Sequence, residues 1–134
     1  MAIVLNRILR KILGSKISKF YPTVKIIGHK SEEDLVERMC RDTTLNEREA
    51  RMALSQVRIA LLDFLMDGYS VEFTDWASFR PTVTSNGADT EKECTANLVK
   101  RVHCRCTFSK KFMQRLQESK FVFAGDLHTT DQPN

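Results

Sequence analysis

From Thr44 to Leu116 the chain carries, in fixed order, one long helix, a tight strand–turn–strand unit, a polar excursion, an alternating strand and a short basic helix. Thr44-Leu-Asn-Glu47 has the capping-box pattern, in which two side chains satisfy the free N–H groups that open a helix. Ala50, Ala53, Leu54, Val57, Leu61, Phe64 and Leu65 follow at helical spacing, the stripe of a helix buried along one side. Gly68 stands where a left-handed residue closes the last turn. After it, Val71 and Phe73 alternate with Ser70, Glu72 and Thr74, which predicts a strand over Tyr69–Phe73. Asp75-Trp-Ala-Ser78 turns the chain into a second strand through Phe79 and Val83. Ser85-Asn-Gly-Ala-Asp89 is turn chemistry, with Asn86-Gly87 suited to positive φ. Val102-His-Cys-Arg-Cys-Thr-Phe108 alternates again, and Ser109 caps a last helix with Phe112 and Leu116 facing inward. The succession is that of an α+β chain.

The first 30 residues are less periodic. Residues 3–13 read either as a basic amphipathic helix or as a strand, and Gly14-Ser15 breaks the run. Phe20-Tyr-Pro-Thr-Val-Lys-Ile-Ile27 is rich in aromatic and β-branched residues, so an N-terminal strand pair is expected, with Pro22 on an edge or a bulge. Ser31-Glu-Glu-Asp34 then opens a short helix whose buried stripe is Leu35, Val36, Met39 and Cys40.

Charge is unevenly placed. The net charge is +4, yet residues 1–31 hold seven basic side chains (Arg7, Arg10, Lys11, Lys16, Lys19, Lys25, Lys30) and no acidic one. The remaining 14 Lys/Arg face all 17 Asp/Glu, so the rest of the chain is −3. The basic end either attracts phosphate or is a solvated strand pair with cationic edges. Its apolar run is interrupted by Arg7, Arg10 and Lys11, which argues against a secretory leader, and no segment has the length of a membrane span. A cytoplasmic protein is expected.

Chemistry of other kinds finds little footing. The histidines His29, His103 and His128 fall in unrelated places, and the sequence has no Gly-rich phosphate loop, G-x-S-x-G or H-E-x-x-H. No enzyme activity, cofactor or small-molecule substrate is expected. Cys40, Cys94, Cys104 and Cys106 do not suggest a disulfide framework. Cys104 and Cys106 share a strand face with Val102 and Phe108 and read as small buried hydrophobes. A metal site from His103, Cys104 and Cys106 is the alternative, opposed by alternation, which sends His103 to the other face.

The ordered motifs resemble the bacterial histone-like HU/IHF family, and within it the HU-related branch that has an extra N-terminal segment. Thr44-Leu-Asn-Glu-Arg-Glu-Ala50 is similar to the start of its second helix, and Leu65-Met-Asp-Gly-Tyr-Ser-Val-Glu-Phe73 to its run into the sheet. Asp75-Trp-Ala-Ser-Phe79 stands at its tight turn, where Ala77 replaces a glycine and Trp76 is expected to pack the turn onto the helices. Val102 to Leu116 is similar to its last strand and closing helix. The resemblance implies a helical base under a three-stranded antiparallel sheet with an extended β arm, here with extra N-terminal strands. The implied organisation is a basic strand extension over 1–30, an HU-like DNA-binding domain over 31–124 and a polar tail over 125–134. It also implies a homodimer that binds double-stranded DNA with little sequence preference in the nucleoid, bending or compacting it. Arg80, Lys100, Arg101, His103, Arg105, Lys110, Lys111 and Arg115 are the implied DNA contacts. The chain departs from the family at the arm. The family's basic Arg-Asn-Pro tip is absent, Asp89, Glu91 and Glu93 lie near the tip, and Pro81 sits at the base. An HU-like dimeric structural or protein-interaction module that has lost DNA binding is the alternative.

Overall fold

The computed structural model of the protein describes residues 1–126, so the expected tail from Leu127 on, with His128, lies outside the described residues. The elements run β1 (Ile3–Lys11), β2 (Ser18–Val24), α1 (Glu32–Arg41), α2 (Glu47–Met66), β3 (Val71–Glu72), β4 (Ala77–Ser85), β5 (Val99–Phe108), α3 (Lys110–Gln117) and β6 (Phe121–Phe123). Short 3-10 turns occupy Ala96–Leu98 and Ala124–Asp126. The fold is α+β, with two three-stranded sheets ordered β2-β1-β6 and β3-β4-β5. Two compact units result: Met1–Glu32 with Leu116–Asn134, of which Leu116–Asp126 are described, and Glu33–Arg115.

In the first unit, residues 3–11 resolve to a strand. It pairs antiparallel with β2 from Leu5↔Val24 to Lys11↔Ser18. β2 is the edge strand, which tolerates the missing N–H of Pro22. On its other side β1 pairs in parallel with β6, Ile3↔Phe121 to Leu5↔Phe123. This third strand is not signalled by the sequence pattern. The Arg7 guanidinium stands 3.8 Å over the Phe123 ring, a cation–π contact that ties β1 to β6.

In the second unit α2 starts two residues later than the sequence pattern predicts. Asn46 is the cap: its side chain accepts from the Glu49 N–H at 2.9 Å, and the Glu49 carboxylate accepts from the Asn46 N–H at 3.2 Å. Thr44-Leu-Asn-Glu47 and Asn46-Glu-Arg-Glu49 both fit the pattern, and the second is the box that forms. The Thr43 hydroxyl closes α1, donating to the Met39 carbonyl and accepting from the Leu45 N–H. The C-terminus follows expectation. Gly68 has φ +88°, its N–H donates to Leu65, and the Tyr69 N–H reaches back to Phe64, the paired bonds of a Schellman ending. The Phe64 and Tyr69 rings meet edge-on at 6.2 Å across that ending.

The tight turn between β3 and β4 is closed by the Phe73 N–H on the Ala77 carbonyl and the Trp76 N–H on the Phe73 carbonyl, with Asp75 at φ 58°. Ala77 opens β4 rather than filling the turn, and it is 2% exposed. Trp76 packs on the Phe73 ring at 4.7 Å and stays partly exposed. Neither Asn86 nor Gly87 takes the positive φ that the dipeptide predicts. The excursion 86–98 is instead closed by the Asn86 N–H on Leu98 and folded by a turn in which the Cys94 N–H donates to Glu91.

Burial departs most from expectation. Among the described residues only Val4, Val36, Ala50 and Ala77 are buried apolar ones. The predicted α2 stripe reaches only intermediate burial at Leu54, Leu61 and Leu65, while Val57 and Phe64 are exposed. Leu35, Phe112 and Leu116 are likewise exposed, and so are Cys104 and Cys106, which lie on the expected apolar face without being covered. The helix and strand faces are correctly patterned; the chain by itself does not close over them.

Candidate nucleic-acid interface

The β4–β5 ribbon sorts its side chains cleanly. Register sets Ala77 opposite Phe108, Phe79 opposite Cys106, Pro81 opposite Cys104 and Val83 opposite Val102. These eight form an apolar face, shared by Val71 of β3, which pairs with Phe79. The intervening pairs are Ser78–Thr107, Arg80–Arg105, Thr82–His103 and Thr84–Arg101. Directly opposed residues share a face, so three arginines, one histidine and four hydroxyls line the other side. The Thr84 hydroxyl lies 2.9 Å from His103 Nε2, a diagonal contact on that side. Cys104 and Cys106 thus face away from His103, and among the described residues no three His, Cys, Asp or Glu side chains come together as metal ligands.

Arg80 and Arg105 stand directly opposite one another, both exposed. Like charges so placed repel, and an anion lying across the pair removes the cost. Hydroxyls and guanidinium groups on one sheet face are groups that grip phosphate and sugar oxygens.

The other expected contacts divide. Lys100 is outside this set: it is the extra residue between Val99, opposite Ser85, and Arg101, opposite Thr84, at the bulge in the ribbon. Lys110 and Lys111 lie in the first turn of α3. The Ser109 hydroxyl accepts from the Phe112 N–H at 3.1 Å, and the Ser109 N–H donates to the Trp76 carbonyl at 2.8 Å, so this turn is anchored to the β3–β4 turn. Phe108 stacks on Phe112 at 5.2 Å across the strand–helix junction. Lys111 reaches Asp75 at 3.5 Å, an exposed pair that holds the lysine weakly. Arg115 lies in the last turn of α3.

Sequence reasoning missed two things here. Ser78, Thr82, Thr84 and Thr107 complete the basic face, and Glu72, opposite Ser78, brings a carboxylate to its lower end. Both follow once the turn at Asp75 fixes the register. Pro81 sits beyond the last β3 pair, where β4 has become an edge strand and needs no donor on that side. At the far end the excursion carries Asp89, Glu91 and Glu93 against Lys92.

The model of a protein family described as HU-HIG, an HU domain fused to wHTH, Ig or a glycine-rich motif, matches residues 1–122. Among solved structures, one from Bacteroides vulgatus ATCC 8482, provisionally described as a bacterial DNA-binding protein, is similar in fold. Its TM-score is 0.63 at 14% identity, over 91% of this chain and 48% of that one. The chain therefore spans about half the length of that structure. Among curated proteins none is significantly similar.

Proposed function

The chain belongs to the HU-HIG family, and from that premise we propose that it binds double-stranded DNA as a homodimer, with low sequence specificity, as an architectural protein of the nucleoid. The observation that carries this reading is the basic face of β4–β5, where Arg80, Arg101, His103 and Arg105 line up opposite an apolar face. Contacts of this type neutralise phosphates and release counterions, so affinity depends on salt and little on sequence. Lys110 and Lys111, at the N-terminal turn of α3, extend the same chemistry. Lys100 and Arg115 are further cations of the reading. The protein in this role is no enzyme, works without cofactor or small-molecule substrate, and acts in the cytoplasm. Among the described residues no helix is long and apolar enough to cross a membrane.

The dimer is supported by what the chain leaves uncovered. Met52, Val57, Ile59, Leu62, Phe64 and Met66 of α2 are all exposed. At roughly 25 cal/mol per Å² of apolar area, covering even 1,000 Å² of such surface contributes about 25 kcal/mol before association costs. Val57 and Phe64 lie on the side of the patterned stripe and Met52, Ile59, Leu62 and Met66 on the other, and a second copy offers the same uncovered surfaces and satisfies the two-fold symmetry that most oligomers adopt.

A labelled duplex of ~30 base pairs titrated at several salt concentrations tests the reading. Submicromolar binding whose logarithm falls linearly with log salt is expected. Absence of binding at low salt sinks it, and favours a dimeric interaction module that has lost DNA, the reading to which the acidic excursion tip points.

A further inference from the structure

β6 pairs only with Ile3–Leu5, so β1 and β2 continue beyond it as a free two-stranded ribbon from Asn6↔Thr23 to Lys11↔Ser18. Six rungs at strand rise give a projection of about 20 Å. Its end is well organised. The Ser15 N–H donates to the Ile12 carbonyl, the Ile12 N–H to the Ile17 carbonyl, and the Ile17 N–H to the Ser15 hydroxyl. Gly14, at φ +80°, supplies the left-handed residue that a turn of this kind needs at its third position.

What this turn presents is unusual for a solvated loop. Leu13, at its corner, is 101% exposed, with Ile17 beside it at 59%. Around it stand Arg10, Lys11, Lys16 and Lys19, all exposed, and none forms an ion pair among the described residues. Arg10 is directly opposite Lys19 on one face, an arrangement that costs stability unless an anion lies nearby. No carboxylate occurs in residues 1–31 to offset it. A narrow ribbon with cations along its stem and a bare aliphatic side chain at its corner is the chemistry of an element that enters the minor groove. There the cations meet the flanking phosphates and the apolar tip wedges between base pairs, kinking the duplex.

We infer that the N-terminal β1–β2 ribbon is a DNA-deforming element, in which Arg10, Lys11, Lys16 and Lys19 contact phosphates and Leu13 is the wedge. The inference rests on the reading of the protein as a DNA binder and adds a second contact element to it. It also separates two tasks. Backbone grip lies with the β4–β5 face, and deformation lies with a ribbon whose tip, unlike the excursion 86–98, repels no phosphate.

The test uses the full chain and a ~30-base-pair duplex labelled at both ends, with anisotropy reporting affinity and energy transfer reporting the end-to-end distance. Three proteins are compared: wild type, Leu13→Ala, and Arg10→Glu, Lys11→Glu, Lys16→Glu, Lys19→Glu combined. Leu13 touches nothing that folding needs, so its variant reads function alone, and thermal melting checks the fold of the combined variant. Wild type is expected to bind and shorten the end-to-end distance. Leu13→Ala is expected to bind within about threefold yet leave the duplex nearly straight. The combined variant is expected to bind at least about tenfold more weakly, its salt slope reduced by ~0.9 for each phosphate lost. A wild type that binds without bending, or two variants that bend as wild type does, overturns the inference while leaving the DNA-binding reading intact. A wild type that binds no duplex overturns both. Wild-type binding to phosphatidylserine vesicles that the combined variant loses, at unchanged duplex affinity, overturns it in favour of a lipid surface.

Discussion

The β1–β2 ribbon and the β4–β5 ribbon each leave a three-stranded sheet as a pair of antiparallel strands, yet their free ends carry opposite charge. β4–β5 has a basic stem, with Arg80 opposite Arg105, and an excursion in which Asp89, Glu91 and Glu93 outnumber Lys92. β1–β2 is basic from stem to turn and ends in an exposed leucine. A strand ladder leaves side-chain chemistry on its faces and its tip wide room to vary, because the backbone hydrogen bonds that set its register do not depend on side-chain identity. The two ribbons show the same scaffold given two electrostatic programmes.

The comparison breaks most visibly at the β4–β5 stem. Arg80→Glu, Arg101→Glu and Arg105→Glu together are expected to weaken duplex binding by more than about a hundredfold at moderate salt, as read by anisotropy. Retention of wild-type affinity would strip the stem of its role. Removing the contrast at the other end sharpens the case. With Asp89→Asn, Glu91→Gln and Glu93→Gln the excursion stops repelling phosphate, and duplex affinity is expected to rise by up to about tenfold, an effect that disappears at high salt. The turns differ as well. Gly14→Ala forces a side chain into φ +80° and is expected to cost about 1 kcal/mol, whereas Gly87→Ala, at a position without positive φ, is expected to be neutral or to stabilise by about 0.5 kcal/mol. Denaturant unfolding of the two variants side by side measures this. Smallest of all, Asp75→Asn removes the exposed partner of Lys111, and stability is expected to change by less than about 0.5 kcal/mol in the same assay.

Local signals in the sequence survived well where local physics decides. Gly68 terminates α2 as read, because only a residue free to take φ +88° completes those two closing bonds. Ser109 caps α3, and the alternation of Val102–Phe108 places Arg101, His103 and Arg105 on one face. The capping box slipped by two residues because two overlapping tetrapeptides satisfy it, and spacing alone does not choose between them. Non-local features were not legible. Nothing in Phe121-Val-Phe123 announces Ile3–Leu5 as its partner, and a three-residue strand is too short to show a period. Burial failed in a more instructive way. The stripe on α2 and the face holding Cys104 and Cys106 are where the pattern puts them, but pattern specifies which side seeks cover, not which molecule supplies it.

The parallel pairing of β1 with β6 bears on how the protein is made. Ile3, Val4 and Leu5 leave the ribosome well before Phe121, Val122 and Phe123, their neighbours in the sheet, which are synthesised after α1, α2 and α3. Closing so long a loop is entropically slow, and chains are made at only about 5–20 residues per second. For several seconds of every round of synthesis the β1–β2 hairpin therefore waits as an isolated pair of strands, which is marginally stable in water. Its waiting edge is apolar and open to other strands. The seven cations and absent carboxylates of residues 1–31 then act in the nascent chain as well, because neighbouring chains on the same messenger carry the same charge there and repel one another.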